Sequence, residues 1–148
     1  LDQEADERYV PDLSEPARGA TRTTFAFLID AYTDEEVNGE QRTVLKLDPR
    51  LSPVKVAVRP LSKKPDLVET TDTVASLLRE RWQIEVDVTQ SIGRRYRRQD
   101  EIGTPLCVTI DFDTLDDHQV TVRDRDTMAQ DRIPIDNLVA YLAERLPV

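Results

Sequence analysis

With 148 residues, 39% hydrophobic and 33% charged, the chain is long enough for one domain with a full core, or one domain plus an appendage, and has the make-up of a globular protein. A formal charge of −9 argues against indiscriminate nucleic-acid binding over the whole surface. No apolar run approaches the ~20 residues of a membrane-spanning helix, no charged-then-apolar leader opens the chain, and the single cysteine, Cys107, excludes an internal disulfide and suits a reducing compartment.

The charge is unevenly spread. Residues 1–48 hold 12 acidic and 5 basic side chains, whereas 49–148 hold 17 and 15, so the second part is nearly neutral and leaves room for local basic patches. In chain order, RYVPDL (8–13) reads as a strand, EPARG (15–19) as a turn, and TRTTFAFLIDAY (21–32) as a helix. In that helix Phe25, Leu28, Ile29 and Tyr32 recur at i, i+3, i+4 and i+7, an amphipathic stripe. The polar stretch TDEEVNGEQR (33–42) reads as a linker. VKVAV (54–58), ending before Pro60, reads as a strand, and 67–82 as a helix through Val74, Leu77, Leu78 and Trp82. IEVDV (84–88), LCVTIDF (106–112) and, after the turn TLDDH, QVTVR (119–123) alternate as strands do. Asp136 is placed to cap a last helix whose apolar stripe is Leu138, Val139, Leu142 and Leu146. The expected fold is α/β, a mixed sheet flanked by helices. Cys107 falls in an alternating apolar run and reads as a small core residue.

The segment SIGRRYRRQDEIG (91–103) puts four arginines into five positions. On a helix at ~100° per residue, Arg94, Arg95, Arg97 and Arg98 share one arc of roughly 160°, with Ile92 and Tyr96 opposite, where they can pack on a sheet. Like charges at these spacings cost roughly 0.2–0.5 kcal/mol per pair. The cations lie toward the helix N-terminus with Asp100 and Glu101 toward its C-terminus, against the macrodipole, and Gly93 weakens the helix further. Local rules broken together mark a place where function overrides stability, and arginine suits bidentate phosphate contact and stacking on bases. A solvated face with Glu101 neutralising Arg97 and Arg98 is an equal alternative. Arg123 and Arg125 project from one face of a strand and extend the patch, unless the interleaved Asp124 and Asp126 make a salt-bridge ladder of them.

At EPARGATR (15–22), Arg22 heads the apolar stripe, and its guanidinium calls for a carboxylate, a ligand phosphate or a path to solvent. Other chemistry is missing: there is no phosphate-cradling glycine loop, no nucleophile elbow and no Cys/His spacing for a metal. His118 sits in a polar turn, and Asp116 and Asp117 read as turn residues rather than a catalytic dyad.

SIGRRYRRQDEIGTPLCVTIDFDTLDDHQVTVRDRDTMAQDRIPIDNLVAYL closely resembles the C-terminal region of glycyl-tRNA synthetases. VLKLDPRLSPVKVAVRPL matches the start of the same anticodon-binding domain, and ERYVPDLSEPARGATRTTFAFLIDAY is similar to the family's class II motif 3, the strand and helix that close the catalytic domain. The resemblance implies residues 1–37 as the end of a catalytic domain, 38–53 as a linker and 54–148 as a class II anticodon-binding domain. It implies a cytoplasmic ligase that joins glycine to tRNA-Gly with ATP and Mg2+, working as a homodimer when full-length. Arg22 matches the motif 3 arginine on the ATP phosphate, and Glu15 the glutamate that holds the glycine ammonium. Ala17 stands where the family has a serine that contacts glycine, and Ser14 where an apolar strand residue is expected. Arg94, Arg95, Arg97, Arg98, Arg123 and Arg125 are the implied tRNA contacts.

Class II motifs 1 and 2 are absent, so the catalytic set is incomplete and this chain alone is expected to bind no cofactor and form no adenylate. A start at Leu1 and an opening partway into a strand fit a fragment of the longer enzyme. A free-standing, catalytically inactive relative acting as an RNA- or protein-binding module is the competing expectation.

Overall fold

In a computed structural model, residues 8, 10, 14–37, 39–88 and 92–146 are described. The expected strand at 8–13 lies outside them, apart from Arg8 and Val10.

The chain enters through α1 (Ala20–Ala31), which leads directly into an antiparallel hairpin of β1 (Tyr32–Val37) and β2 (Glu40–Leu45). Gly39, at φ +82, makes the turn. The stretch expected as a linker is therefore folded. Its inward positions are Arg42 and Val44, two residues apart and both buried. An arginine at an inward position hides the alternation from a hydrophobicity count.

The main sheet has the order β4-β3-β5-β6-β7, built from β3 (Val56–Pro60), β4 (Ile84–Val86), β5 (Leu106–Ile110), β6 (Gln119–Asp124) and β7 (Gln130–Pro134). β3 runs parallel to β4 and β5, while β6 is antiparallel to both β5 and β7. Strand alternation sorts the side chains cleanly. Val56, Val58, Leu106, Val108, Ile110, Val120 and Val122 face α2 (Pro65–Arg79) and α5 (Ile135–Ala143), which bring Leu67, Val74, Leu78, Leu138 and Leu142 into one buried cluster. Each such side chain contributes roughly 1.5–3 kcal/mol by leaving water. The other face carries Arg59, Cys107, Thr109, Thr121 and Arg123, and α3 (Ile92–Ile102) lies across it.

Two details differ from the sequence expectation. β7 is an additional edge strand, and the last helix has Pro134 at its N-cap with Asp136 inside the first turn. TLDDH forms a one-turn helix, α4 (Thr114–Asp117), closed by His118 in the left-handed region at φ 53. Burial pushes the Cys107 thiol up to about 11, so the cysteine is inert core, as its place in the strand indicates.

Candidate nucleic-acid interface

The structure separates the arginines that the sequence groups together. On α3, Arg94 is exposed and its side chain takes part in no ion pair or hydrogen bond among the described residues. Arg97 pairs with Glu40 on the hairpin, and Arg98 reaches Asp87 at 3.0 Å; the expected partner, Glu101, serves neither. Arg97 and Glu40 keep 55% and 71% of their side-chain surface in water, so that pair is worth little, whereas Arg98, 39% exposed, meets a buried Asp87.

Arg95 is a correction to the outward-facing arc. It is buried and donates from Nη1 to the backbone carbonyls of Pro60 (2.8 Å) and Asp87 (3.0 Å). The reason lies in the width of the packed stripe. Gln99 and Asp100 are buried beside Tyr96, so the sheet-facing side of α3 extends to the edge of the arginine arc, where Arg95 stands. Burial and the neighbouring charge of Arg59 lower the Arg95 pKa, against the pull of Asp87. The two carbonyls lie at the C-terminal ends of β3 and β4, so Arg95 pins the first half of α3 over that edge of the sheet.

Arg123 and Arg125 are likewise buried rather than part of a surface patch. Arg123 makes a bidentate contact with Asp100 (Nη1–Oδ1 2.9 Å, Nη2–Oδ2 3.2 Å) and lies 4.8 Å from the Tyr96 ring centroid. Arg42 approaches Asp100 from the other side, Nε to Oδ2 at 3.0 Å, and also binds Glu35 and the carbonyl of Arg125. Burial disfavours the Arg42 cation, yet the Asp100 and Glu35 carboxylates outweigh that and raise its pKa. Arg125 donates to the carbonyls of Leu45, Leu47 and Gly103 at 2.9–3.1 Å and pairs with Asp126. Of the two ladder pairings considered, only the one with Asp126 forms. These arginines fasten the hairpin and the strand-connecting segment onto the sheet. Gly103, at φ +83, belongs to the same seam, because a Cβ there would meet the Leu45 carbonyl oxygen at 2.9 Å.

A further group is not evident from sequence alone. Leu61, Phe112 and Leu115 are exposed apolar side chains just past the C-terminal ends of β3 and β5, and the Leu61 amide donates to the Ile110 carbonyl at 2.7 Å, joining the two strand ends. Lys64 Nζ sits 4.7 Å above the Phe112 ring. In parallel sheets the ligand-binding crevice lies at this edge, and an exposed ring with a cation over it is a stacking platform for an unpaired base. The signal available in the sequence is the aromatic at position 112, which breaks an otherwise acidic turn.

Glu15, Ala17 and Arg22 are all exposed, and so are Phe25, Leu28 and Ile29 on α1 and Tyr32, which opens β1. The helix carries three of the four stripe residues, and they stay largely uncovered, although Leu28 borders a cavity with Leu45, Leu47 and Leu51; Ala31 is the one buried residue of α1. Among the described residues, no group of three or more His, Cys, Asp or Glu is arranged to hold a metal ion, and no helix is long and apolar enough to cross a membrane.

The family model for the anticodon binding domain matches residues 55–145. Curated relatives include a glycine–tRNA ligase of Streptomyces coelicolor, 59% identical over 150 residues, covering 98% of this chain and 33% of the relative. Another, a glycine–tRNA ligase of Thermobifida fusca, is 57% identical over 151 residues, with 99% and 33% covered. The chain thus spans about a third of the length of the curated relatives it matches. Among solved structures, the RNA binding domain of threonyl-tRNA synthetase from Cryptosporidium parvum aligns with a TM-score of 0.61 at 25% identity, covering 68% of this chain and 26% of that one.

Proposed function

The chain belongs to the anticodon-binding domain family, and from that premise we propose that it is the C-terminal part of a glycine–tRNA ligase and recognises the anticodon region of tRNA-Gly. The observation that carries this reading is the coincidence, at the C-terminal edge of the parallel strands, of an unpaired Arg94 with the exposed Phe112–Lys64 pair. Anticodon bases are unstacked and offer both π-faces and hydrogen-bonding edges, while their phosphates call for guanidinium groups. Arg94 engages a phosphate directly. Arg97 joins it by exchanging its exposed carboxylate partner, Glu40, for phosphate oxygens at small cost, and Arg98 adds its charge while it stays paired with the buried Asp87. Arg95, Arg123 and Arg125 act indirectly, by holding α3 and the hairpin in place.

The domain division follows. Residues 54–148 form the anticodon-binding unit, 1–37 close a catalytic domain, and 38–53 join them as a folded strap. Two observations support the larger enzyme: the uncovered apolar stripe of α1, and relatives three times the length of this chain. In the longer chain that stripe packs on the rest of a catalytic domain, where Arg22 contacts an ATP phosphate and Glu15 and Ala17 border the glycine. The Mg2+ that travels with ATP binds outside the residues described. The whole enzyme acts as a cytoplasmic homodimer. This chain alone forms no adenylate.

The test is a binding titration of this chain against a tRNA-Gly anticodon stem-loop and the same stem-loop with a swapped anticodon. We expect the matched anticodon to bind at least ~10-fold more tightly, the discrimination of one good base contact. Equal affinity for the two RNAs would overturn the reading.

A further inference from the structure

Of the buried arginines described, Arg59 alone has no hydrogen-bond acceptor. It is 1% exposed on β3, and its Nε, Nη1 and Nη2 are all enclosed without a partner among the described residues. The guanidinium carbon lies 3.8 Å from the Tyr96 ring centroid, so the ring serves the face of the cation and leaves its N–H edge unserved. A buried charge without a counter-ion is among the costliest groups to leave in a fold. Arginine cannot shed its proton to escape that cost.

The neighbouring charges deepen the imbalance. Arg95 donates to the carbonyl of Pro60, the residue next to Arg59, and its own Nε is buried without an acceptor among the described residues. Burial first, and the charge of Arg59 second, lower the Arg95 pKa. The carboxylates on this side of the sheet are engaged with other cations: Asp100 and Glu35 serve Arg42, Arg123 and Lys46, and Asp87 pairs with Arg98. Two neighbouring guanidinium groups thus hold four unserved nitrogens, three on Arg59 and one on Arg95. A water molecule would satisfy N–H groups here and leave the two charges repelling. An anion does both.

We propose that the interior beneath α3 holds a halide-sized monovalent anion on the guanidinium groups of Arg59 and Arg95, and that this ion helps to fix α3 on the sheet. Because Arg59 is enclosed, the anion must be small, and one of about a water molecule's size asks the least room. Chloride meets that demand. The ion neutralises charge behind the helix whose outer side carries Arg94, and it acts on the stability of that helix rather than on a nucleic acid.

The test is thermal unfolding of this chain in sodium gluconate, whose anion is too large to be enclosed, with chloride substituted stepwise at constant ionic strength so that screening stays fixed. Arg59→Leu is run in parallel. The wild type should melt about 4 °C higher in chloride, the response of a domain this size to a ligand near ten times its Kd, and Arg59→Leu should show no such shift. Equal melting of the wild type in the two salts overturns the proposal, and so does a chloride shift that Arg59→Leu retains. If Arg59→Leu does not fold, Arg59→Met, an unbranched chain that still reaches Tyr96, takes its place with the same expectation. Bromide in crystals of the wild type locates the ion directly: an anomalous-scattering peak within hydrogen-bond distance of the Arg59 guanidinium is expected, and the lack of a peak there overturns the inference. Neither measurement involves RNA, so the anticodon-binding reading stands or falls separately.

Discussion

The two faces of the five-stranded sheet are built on opposite chemistry. Against α2 and α5 the sheet presents valine, leucine and isoleucine, and the packing is one apolar cluster. Against α3 it presents Arg59, Thr109 and Arg123, and the packing is a set of guanidinium groups, each with its own acceptor or ring. An apolar face tolerates repacking because dispersion and burial are non-directional. A charged face does not, because each ion depends on one or two partners at fixed positions. The comparison also sorts the arginines of α3. Those turned inward hold the architecture, and those turned outward are available to a ligand.

The sharpest way to break this comparison is to remove the one carboxylate shared by two buried cations. Asp100→Ala leaves the buried Arg42 and Arg123 without their common partner, and losing one side of a buried pair costs about 3–5 kcal/mol. Urea unfolding of the variant should show this as a lower midpoint at unchanged slope. A loss below about 1 kcal/mol would mean that the polar face is as forgiving as the apolar one.

Next in size is an effect on binding with none on folding. Arg94→Glu should weaken binding of the tRNA-Gly stem-loop about tenfold or more, with stability unchanged within about 0.5 kcal/mol, since the side chain is exposed and unpaired. Arg95→Leu should do the reverse, lowering the melting temperature and leaving the salt dependence of binding nearly as it is, because this guanidinium faces carbonyls rather than RNA. If Arg95→Leu flattens the salt dependence as much as Arg94→Glu does, the division into inward and outward arginines fails.

How far the sequence foretells this arrangement depends on the face. Four of the five strands of the main sheet and both helices of the apolar side are legible because apolar residues repeat at the period of their element, whereas the edge strand β7, QDRIP, carries no such repeat. On the polar side the determining contacts are between residues far apart, Arg42 with Asp100 across 58 positions and Arg123 with Asp100 across 23. No local period announces them. So Arg95 reads as outward, Arg123 and Arg125 read as surface, and the hairpin reads as a linker, although each is fixed by a partner on another element. Glu15, Ala17 and Arg22 are legible only through resemblance to a family motif, since nothing around them among the described residues builds a site.

The smallest expected effect concerns the rim of the polar face. Arg132 on β7 forks onto Asp111 (2.7 Å) and Asp117 (3.0 Å), tying α4 to the edge strand. The Arg132 guanidinium, helped by Thr114 against partial burial, holds the Asp111 carboxyl down at about 2, from an ordinary 3.8. Because the folded value lies below the unfolded one, the stabilisation is fully present above about pH 4 and fades as pH falls toward 2. Solvent reaches the Arg132 side chain at 31% exposure, so screening holds the contribution to about 1 kcal/mol. In Arg132→Gln the acid side of the stability–pH curve should flatten by that amount between pH 4 and 2, while the Asp100-centred network keeps its full effect at neutral pH. An acid limb that is unchanged in Arg132→Gln would show that rim carboxylates are as indifferent to their partners as free ones. The charged face would then depend on its buried members alone.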